Sequence, residues 1–152
     1  MYDLIIIGAG PIGMTCAIEA KRAGLDALII DKGMLVNTLF HFPTNMTFFS
    51  TSLLLEIGDV PFVSHDEKPT RRESLEYYRR VYESWKLNTH FYEEVLDVKK
   101  EGQRFKVSTT KETYHSKAVV VATGFYDLPV LMNVPGEELP KVLHYYDEPH
   151  PY

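Results

Sequence analysis

The hexapeptide Gly8-Ala9-Gly10-Pro11-Ile12-Gly13, set between an apolar run and a helix-forming segment, constrains this chain more than any other feature. The run Tyr2–Ile7 is short, apolar and ends at a glycine, as a buried parallel strand does. Residues Ile12–Ala23 then read as a helix, with Gly24 placed to cap its C-terminus. Gly13, Cys16, Ala17, Ala20 and Gly24 recur at helical spacing, and a face of such small residues lets a helix lie close against a sheet. Asp26–Ile30 reads as a second buried strand, which completes a β-α-β unit.

A glycine-rich turn at that place has a chemical meaning. Gly8 allows the tight turn, Gly10 lets backbone approach a pyrophosphate, and Gly13 lets helix and strand pack closely. The N-terminus of the helix then offers free N–H groups to an anion. The motif alone is weak, since a turn without a ligand can look the same. It gains weight from Asp31, which follows Gly13 by 18 residues at the end of the second strand. A carboxylate there can accept hydrogen bonds from ribose hydroxyls and disfavours a 2′-phosphate. NADP is therefore not expected at this site, while NAD and FAD both remain open.

Beyond the unit, residues 33–66 hold no period, are rich in Phe, Asn and Thr, and contain Pro43 and Pro61. A stretch of that length without structure is unusual in a compact domain unless it carries function. Thr70-Arg71-Arg72-Glu73, preceded by Pro69, is a capping-box pattern. It opens a helix whose apolar face is expected at Leu75, Tyr78, Tyr82 and Trp85. Asn88–His115 reads as a three-stranded antiparallel meander with turns near Gly102 and Lys111. Ala118–Ala122 is a continuous apolar strand that runs into Thr123-Gly124. Five prolines mark Leu128–Tyr152 as a connector. The fold class this implies is α/β: a Rossmann-like dinucleotide-binding domain with a parallel sheet and an antiparallel β-meander.

Composition serves mainly to exclude. A net charge of −5 argues against a nucleic-acid groove, which concentrates basic residues. No stretch approaches the ~20 apolar residues that span a bilayer, and Met1 leads directly into an apolar strand, so neither membrane nor signal peptide is expected. Cys16 is the single cysteine, which rules out an internal disulfide framework and fits a reducing cytoplasm. The six histidines fall at no metal-ligand spacing, so no metal site is expected.

At Val119-Val120-Val121-Ala122-Thr123-Gly124, following the meander, the chain resembles the FAD domain of flavoproteins of the thioredoxin reductase type. The resemblance implies that Gly8, Gly10, Pro11, Ile12, Gly13, Asp31, Lys32, Ala122, Thr123 and Gly124 bind FAD, with a backbone contact to the adenine at Val95. It narrows further. Leu35-Val36-Asn37, His41 to Phe49, Gly58-Asp59-Val60-Pro61-Phe62 and Asn133-Val134-Pro135-Gly136-Glu137 are similar to the bacillithiol disulfide reductases, the YpdA family. In that family FAD takes hydride from NADPH and passes reducing equivalents to the disulfide of a low-molecular-weight thiol. The resemblance therefore implies a cytoplasmic flavin oxidoreductase, homo-oligomeric at full length. Residues 1–127 are expected to be the first portion of the FAD-binding domain. Residues 128–152 then form a linker toward an NADPH-binding domain that this chain does not contain, so the activity is expected of a parent enzyme.

Several residues carry two readings. Cys16, placed in the first turn of the helix, could be a thiolate favoured by the macrodipole and form a mixed disulfide with the substrate thiol. It also belongs to the small-residue packing face, where a free cysteine is a small hydrophobe. Asn37, Asn45 and Thr47 could meet the flavin edge or satisfy their own turns. His41 reads as surface or packing, Phe40, Phe42, Phe48 and Phe49 as core or flavin cover. Arg71, Arg72, Arg79 and Arg80 read as a solvated helix face. Two rival functions stand beside the reductase: a flavin-dependent monooxygenase, and a non-catalytic FAD-binding or dimerising module.

Overall fold

The structure, a computed structural model, describes residues 1–152. In chain order the elements are β1 (Tyr2–Ile7), α1 (Pro11–Arg22), β2 (Ala27–Ile30), α2 (Asn37–Phe40), α3 (Ser52–Leu55), α4 (Arg71–Trp85), β3 (Thr89–His90), β4 (Val95–Glu101), β5 (Arg104–Thr109) and β6 (Thr113–Val121). All six strands share one sheet in the order β3-β2-β1-β6-β5-β4. β1 lies between β2 and β6, parallel to both, while β5 runs antiparallel to β4 and β6. No helix is long and apolar enough to cross a membrane.

β1 and β2 are apolar because both of their faces are covered. Ile6, Ile29, Met14, Ile18, Tyr77 and Val81 form one core between the sheet and helices α1 and α4. Ile5, Leu28 and Ile30 point to the other face, where Val107 of β5 and Tyr114 of β6 close over them. The meander is thus the second cover of the parallel strands, which is why it needs no helix there. Helix α1 ends as its sequence foretells. Gly24 takes φ +71°, its N–H reaches Lys21 O, and the Leu25 N–H reaches Ala20 O, the paired bonds of a Schellman cap.

Three expectations are corrected. The meander does not begin at Asn88: Thr89–His90 pairs parallel to β2 as an edge strand, and the antiparallel strands are β4, β5 and β6. The third of these and the apolar run before Thr123 are one nine-residue strand. Its first half belongs to the meander and its second to the parallel pair with β1, so polarity changes midway and hides the continuity. On α4 the capping box is present, with Thr70 accepting from the Glu73 N–H, but the buried stripe is Ser74, Tyr77, Tyr78 and Val81. Leu75, Tyr82 and Trp85 flank it.

That displacement explains the aperiodic segment. The Tyr77 hydroxyl accepts from the Ile57 N–H (2.7 Å) and lies 2.9 Å from the Val60 carbonyl, while the Tyr78 hydroxyl donates to Leu55 O. The Trp85 indole N–H donates to Gly58 O at 2.8 Å, and Arg71 donates to the carbonyls of Leu39 and Phe40. Backbone groups that make no ladder are thus satisfied by side chains of α4. Arg71 consequently belongs to the interior contacts of α2 rather than to a solvated face. Replacing Tyr77 by Phe keeps the ring stacked on Phe62 (4.1 Å between centroids) but strands the part-buried Ile57 N–H. The expected cost is about 1–3 kcal/mol, to be read from chemical denaturation.

Candidate functional site

A cleft of about 480 Å³ opens where β1, β2 and β6 end, beside the start of α1. Crevices at the carboxyl ends of parallel strands are where open α/β sheets bind ligands, because helix N-termini and strand-end loops converge there. Three glycines shape this one for different reasons. Gly8 has φ +113°, and a Cβ on it would sit 2.3 Å from Ala122 O. A Cβ on Gly13 would sit 1.9 Å from Gly8 O, so neither position tolerates a side chain. Gly10 differs, because its φ is −77° and nothing lies within 4 Å of where its Cβ would be. Neither strain nor crowding requires that glycine. Its bareness leaves room on the cleft side of the turn.

The helix start beside it is uncapped. No side chain caps α1, its first turn holds no acid, and its bonding begins with Met14 N–H to Gly10 O at 2.9 Å. The N–H groups of Ile12 and Gly13 therefore have no acceptor within the chain. Across the cleft, Asp31 Oδ2 accepts from the Ala9 N–H (2.6 Å) and Oδ1 from the Gly33 N–H (2.7 Å). Each oxygen keeps a further lone pair.

Of the residues singled out from sequence, Gly8, Gly10, Pro11, Ile12, Asp31, Lys32, Asn37, Val95, Ala122, Thr123 and Gly124 all line this cleft. Gly13 lies behind it, buried against Gly8. Asn45 and Thr47 do not line it; both are exposed on the segment that leads away from α2. Of the four phenylalanines only Phe42 lines the cleft, while Phe40 and Phe49 are exposed. His41 is exposed, with Nδ1 2.8 Å from Asn37 O. Cys16 is also absent from the lining. It sits in the second turn of α1, not the first, and packs half-buried against the helix-side core.

Sequence reasoning passed over Glu93, Glu94 and Phe125-Tyr126-Asp127, which also line the cleft. The last three continue directly from Gly124, a proximity that could have pointed to them. Nothing flagged Glu93, the first of two acids after an aromatic pair. It is 1% exposed and accepts from Thr109 (2.5 Å) and Tyr114 (2.9 Å), with His90 Nδ1 at 3.3 Å. Burial works to raise its pKa. The two hydroxyl donors, with His90 and Lys111 nearby, outweigh this and hold the carboxyl below its usual range. The Glu93 N–H also donates to Asp31 O at 2.9 Å, which ties this buried charge to the cleft wall.

Residues 5–152 match the sequence profile of the pyridine nucleotide-disulphide oxidoreductases. The chain belongs to that family. Among its relatives, the Bacillus subtilis bacilliredoxin reductase Bdr is 48% identical over 149 residues, 97% of this chain and 46% of that protein. The solved bacillithiol disulfide reductase Bdr (YpdA) of Bacillus cereus superposes with a TM-score of 0.97 at 48% identity, covering 99% of this chain and 48% of that one. A flavin-containing monooxygenase from Stenotrophomonas maltophilia is more distant, with a TM-score of 0.76 at 25% identity over 81% of this chain and 38% of that one. The family member described here thus spans about half the length of these reductases.

Because Glu93 titrates lower in the folded chain than in the unfolded one, its stabilisation is complete above the unfolded carboxylate pKa. It is lost as pH falls through the folded value. Unfolding free energies measured from about pH 5 downward should therefore fall more steeply for the natural chain than for Glu93→Gln. That variant should already be about 1–3 kcal/mol weaker near neutrality.

Proposed function

We propose that this chain supplies the FAD-binding part of an NADPH-dependent disulfide reductase acting on a low-molecular-weight thiol disulfide, of which bacillithiol disulfide is the leading candidate. The observation that carries this reading is the bare backbone at Gly10, facing the cleft between an uncapped helix N-terminus and the Asp31 carboxylate. An anion at the helix and a ribose at the acid match those two features, and a dinucleotide carries both groups. The 48% identity to a bacilliredoxin reductase, against 25% to the monooxygenase, favours the disulfide chemistry.

In this reading the helix N-terminus at Ile12 receives the pyrophosphate, with Gly8 and Pro11 shaping the turn beneath it and Gly13 letting the helix pack close behind. Asp31 accepts from ribose hydroxyls through its spare lone pairs, and the Val95 backbone borders the adenine. Asn37 and the Ala122-Thr123-Gly124 loop lie along the remainder of the cofactor. Bound FAD would supply the two-electron carrier between NADPH and the disulfide. The protein's own part is to bind the carrier and hold it in place. NADPH would be held by a part of the parent enzyme outside this chain, and we assign that enzyme to the cytoplasm as a homo-oligomer.

Cys16 fits this scheme as a packing residue, since its thiol borders the helix-side core and not the cleft. Cys16→Ala in the full-length enzyme should then leave turnover of bacillithiol disulfide unchanged. Loss of disulfide reduction with NADPH-to-flavin transfer intact would instead restore the redox role. Flavin binding is tested directly by adding FAD to the purified chain and recording its visible absorbance after gel filtration. Gly10→Val, which projects a branched side chain into the space left bare, should abolish retention of the colour while leaving the unfolding midpoint near that of the natural chain. In the parent enzyme, NADPH oxidation that depends on added disulfide and consumes no oxygen separates the reductase from a monooxygenase.

A further inference from the structure

One contact in the cleft does not belong to either wall. Lys32 follows the end of β2, and Asp127 lies beyond the end of β6, yet their side chains form an ion pair. β2 and β6 are the two neighbours of β1, so they stand about 10 Å apart. The pair therefore reaches over the end of β1, where the glycine turn lies, and both residues line the cleft. It is a bridge across the mouth.

The far side of that bridge is held by uncharged contacts. The Tyr145 hydroxyl donates to Asp127 O at 2.6 Å, and the Tyr126 ring meets Phe42 edge-on at 4.8 Å. The Phe125–Asp127 segment is thereby anchored from behind and fastened in front by a single ionic contact. Its two side chains are 50% and 36% exposed, so the fastening is weak and open to screening by salt. A weak closure over a cleft governs departure more than affinity, because it must open for each exit.

We propose that Lys32 and Asp127 form an ionic clasp over the cleft that sets how fast a flavin nucleotide leaves it. This rests on the flavin reading above. Both residues act on the cofactor's residence time and neither is a catalytic group.

The test is release of FAD from the loaded chain, followed by the rise in flavin fluorescence after dilution. At about 0.01 M salt, where the screening length is about 30 Å, Asp127→Asn and Lys32→Met should each release FAD about two- to fivefold faster than the natural chain. The double exchange Lys32→Glu with Asp127→Lys should return the rate toward the natural one. At about 1 M salt, where screening acts within about 3 Å, all four rates should converge. Thermal unfolding without FAD should be the same for all four, which distinguishes a clasp from a general loosening. Single variants that release FAD at the natural rate, or an exchange no slower than the singles, would overturn the clasp and leave the flavin site standing. A natural chain that takes up no FAD would overturn both.

Discussion

The contact on which the architecture depends is the one where three backbones meet without side chains between them. Gly8, at the end of β1, lies against Ala122 at the end of β6, while Gly13 in α1 lies against Gly8. The Ala122 N–H donates to Ile7 O and the Gly8 N–H to Ile30 O, both at 2.8 Å, so the ends of β1, β2 and β6 are joined at this point. A methyl at either glycine would push the helix from the sheet or β1 from β6, and interiors packed at crystal density yield little room. The close approach also aims the uncapped start of α1 across the strand ends, so packing and binding geometry have one cause.

The meander solves a different problem. Parallel strands with apolar residues on both faces need two covers, and the helices provide only one. Val107 and Tyr114 supply the second, and Glu93 fastens the meander to the parallel half from beneath. A carboxylate so deeply buried needs partners: Thr109 and Tyr114, from β5 and β6, both donate to its Oε1, while Oε2 faces His90. Since the Glu93 N–H also holds Asp31 O, the cover of one face and the wall of the cleft are mechanically connected.

Much of this is legible in the sequence. The β-α-β unit, both capping motifs and most of the cleft follow from local chemistry: glycines where backbones approach, a threonine and a glutamate at a helix start, an acid at a strand end. What escaped depends on contacts distant in sequence. Thr89–His90 joins β2 because Ile29 offers it a parallel partner, and nothing within its own residues says so. The shifted stripe on α4 reflects the hydroxyls of Tyr77 and Tyr78, which are buried because they have backbone to serve in the 52–62 region. Periodicity counts apolar residues and cannot see a tyrosine recruited for its oxygen. Asn45 and Cys16 show the converse, as residue types suited to a site that do not line this cleft.

Asp31 accounts for a glycine motif that reads alike for NAD and FAD. An acid at that position is ordinarily accounted for by ribose hydroxyls. Here its two oxygens already accept from Ala9 and Gly33, which pins the glycine turn to the loop after β2. The turn is held in shape by this carboxylate before any ligand arrives, so the acid has a structural role that is the same for NAD and FAD. Only the spare lone pairs are left for a ligand, and in the proposed reading they accept from a ribose, which both cofactors share. Discrimination between dinucleotides must therefore come from the rim, where Val95, Asn37 and the Phe125–Asp127 segment differ in chemistry from anything the hexapeptide encodes.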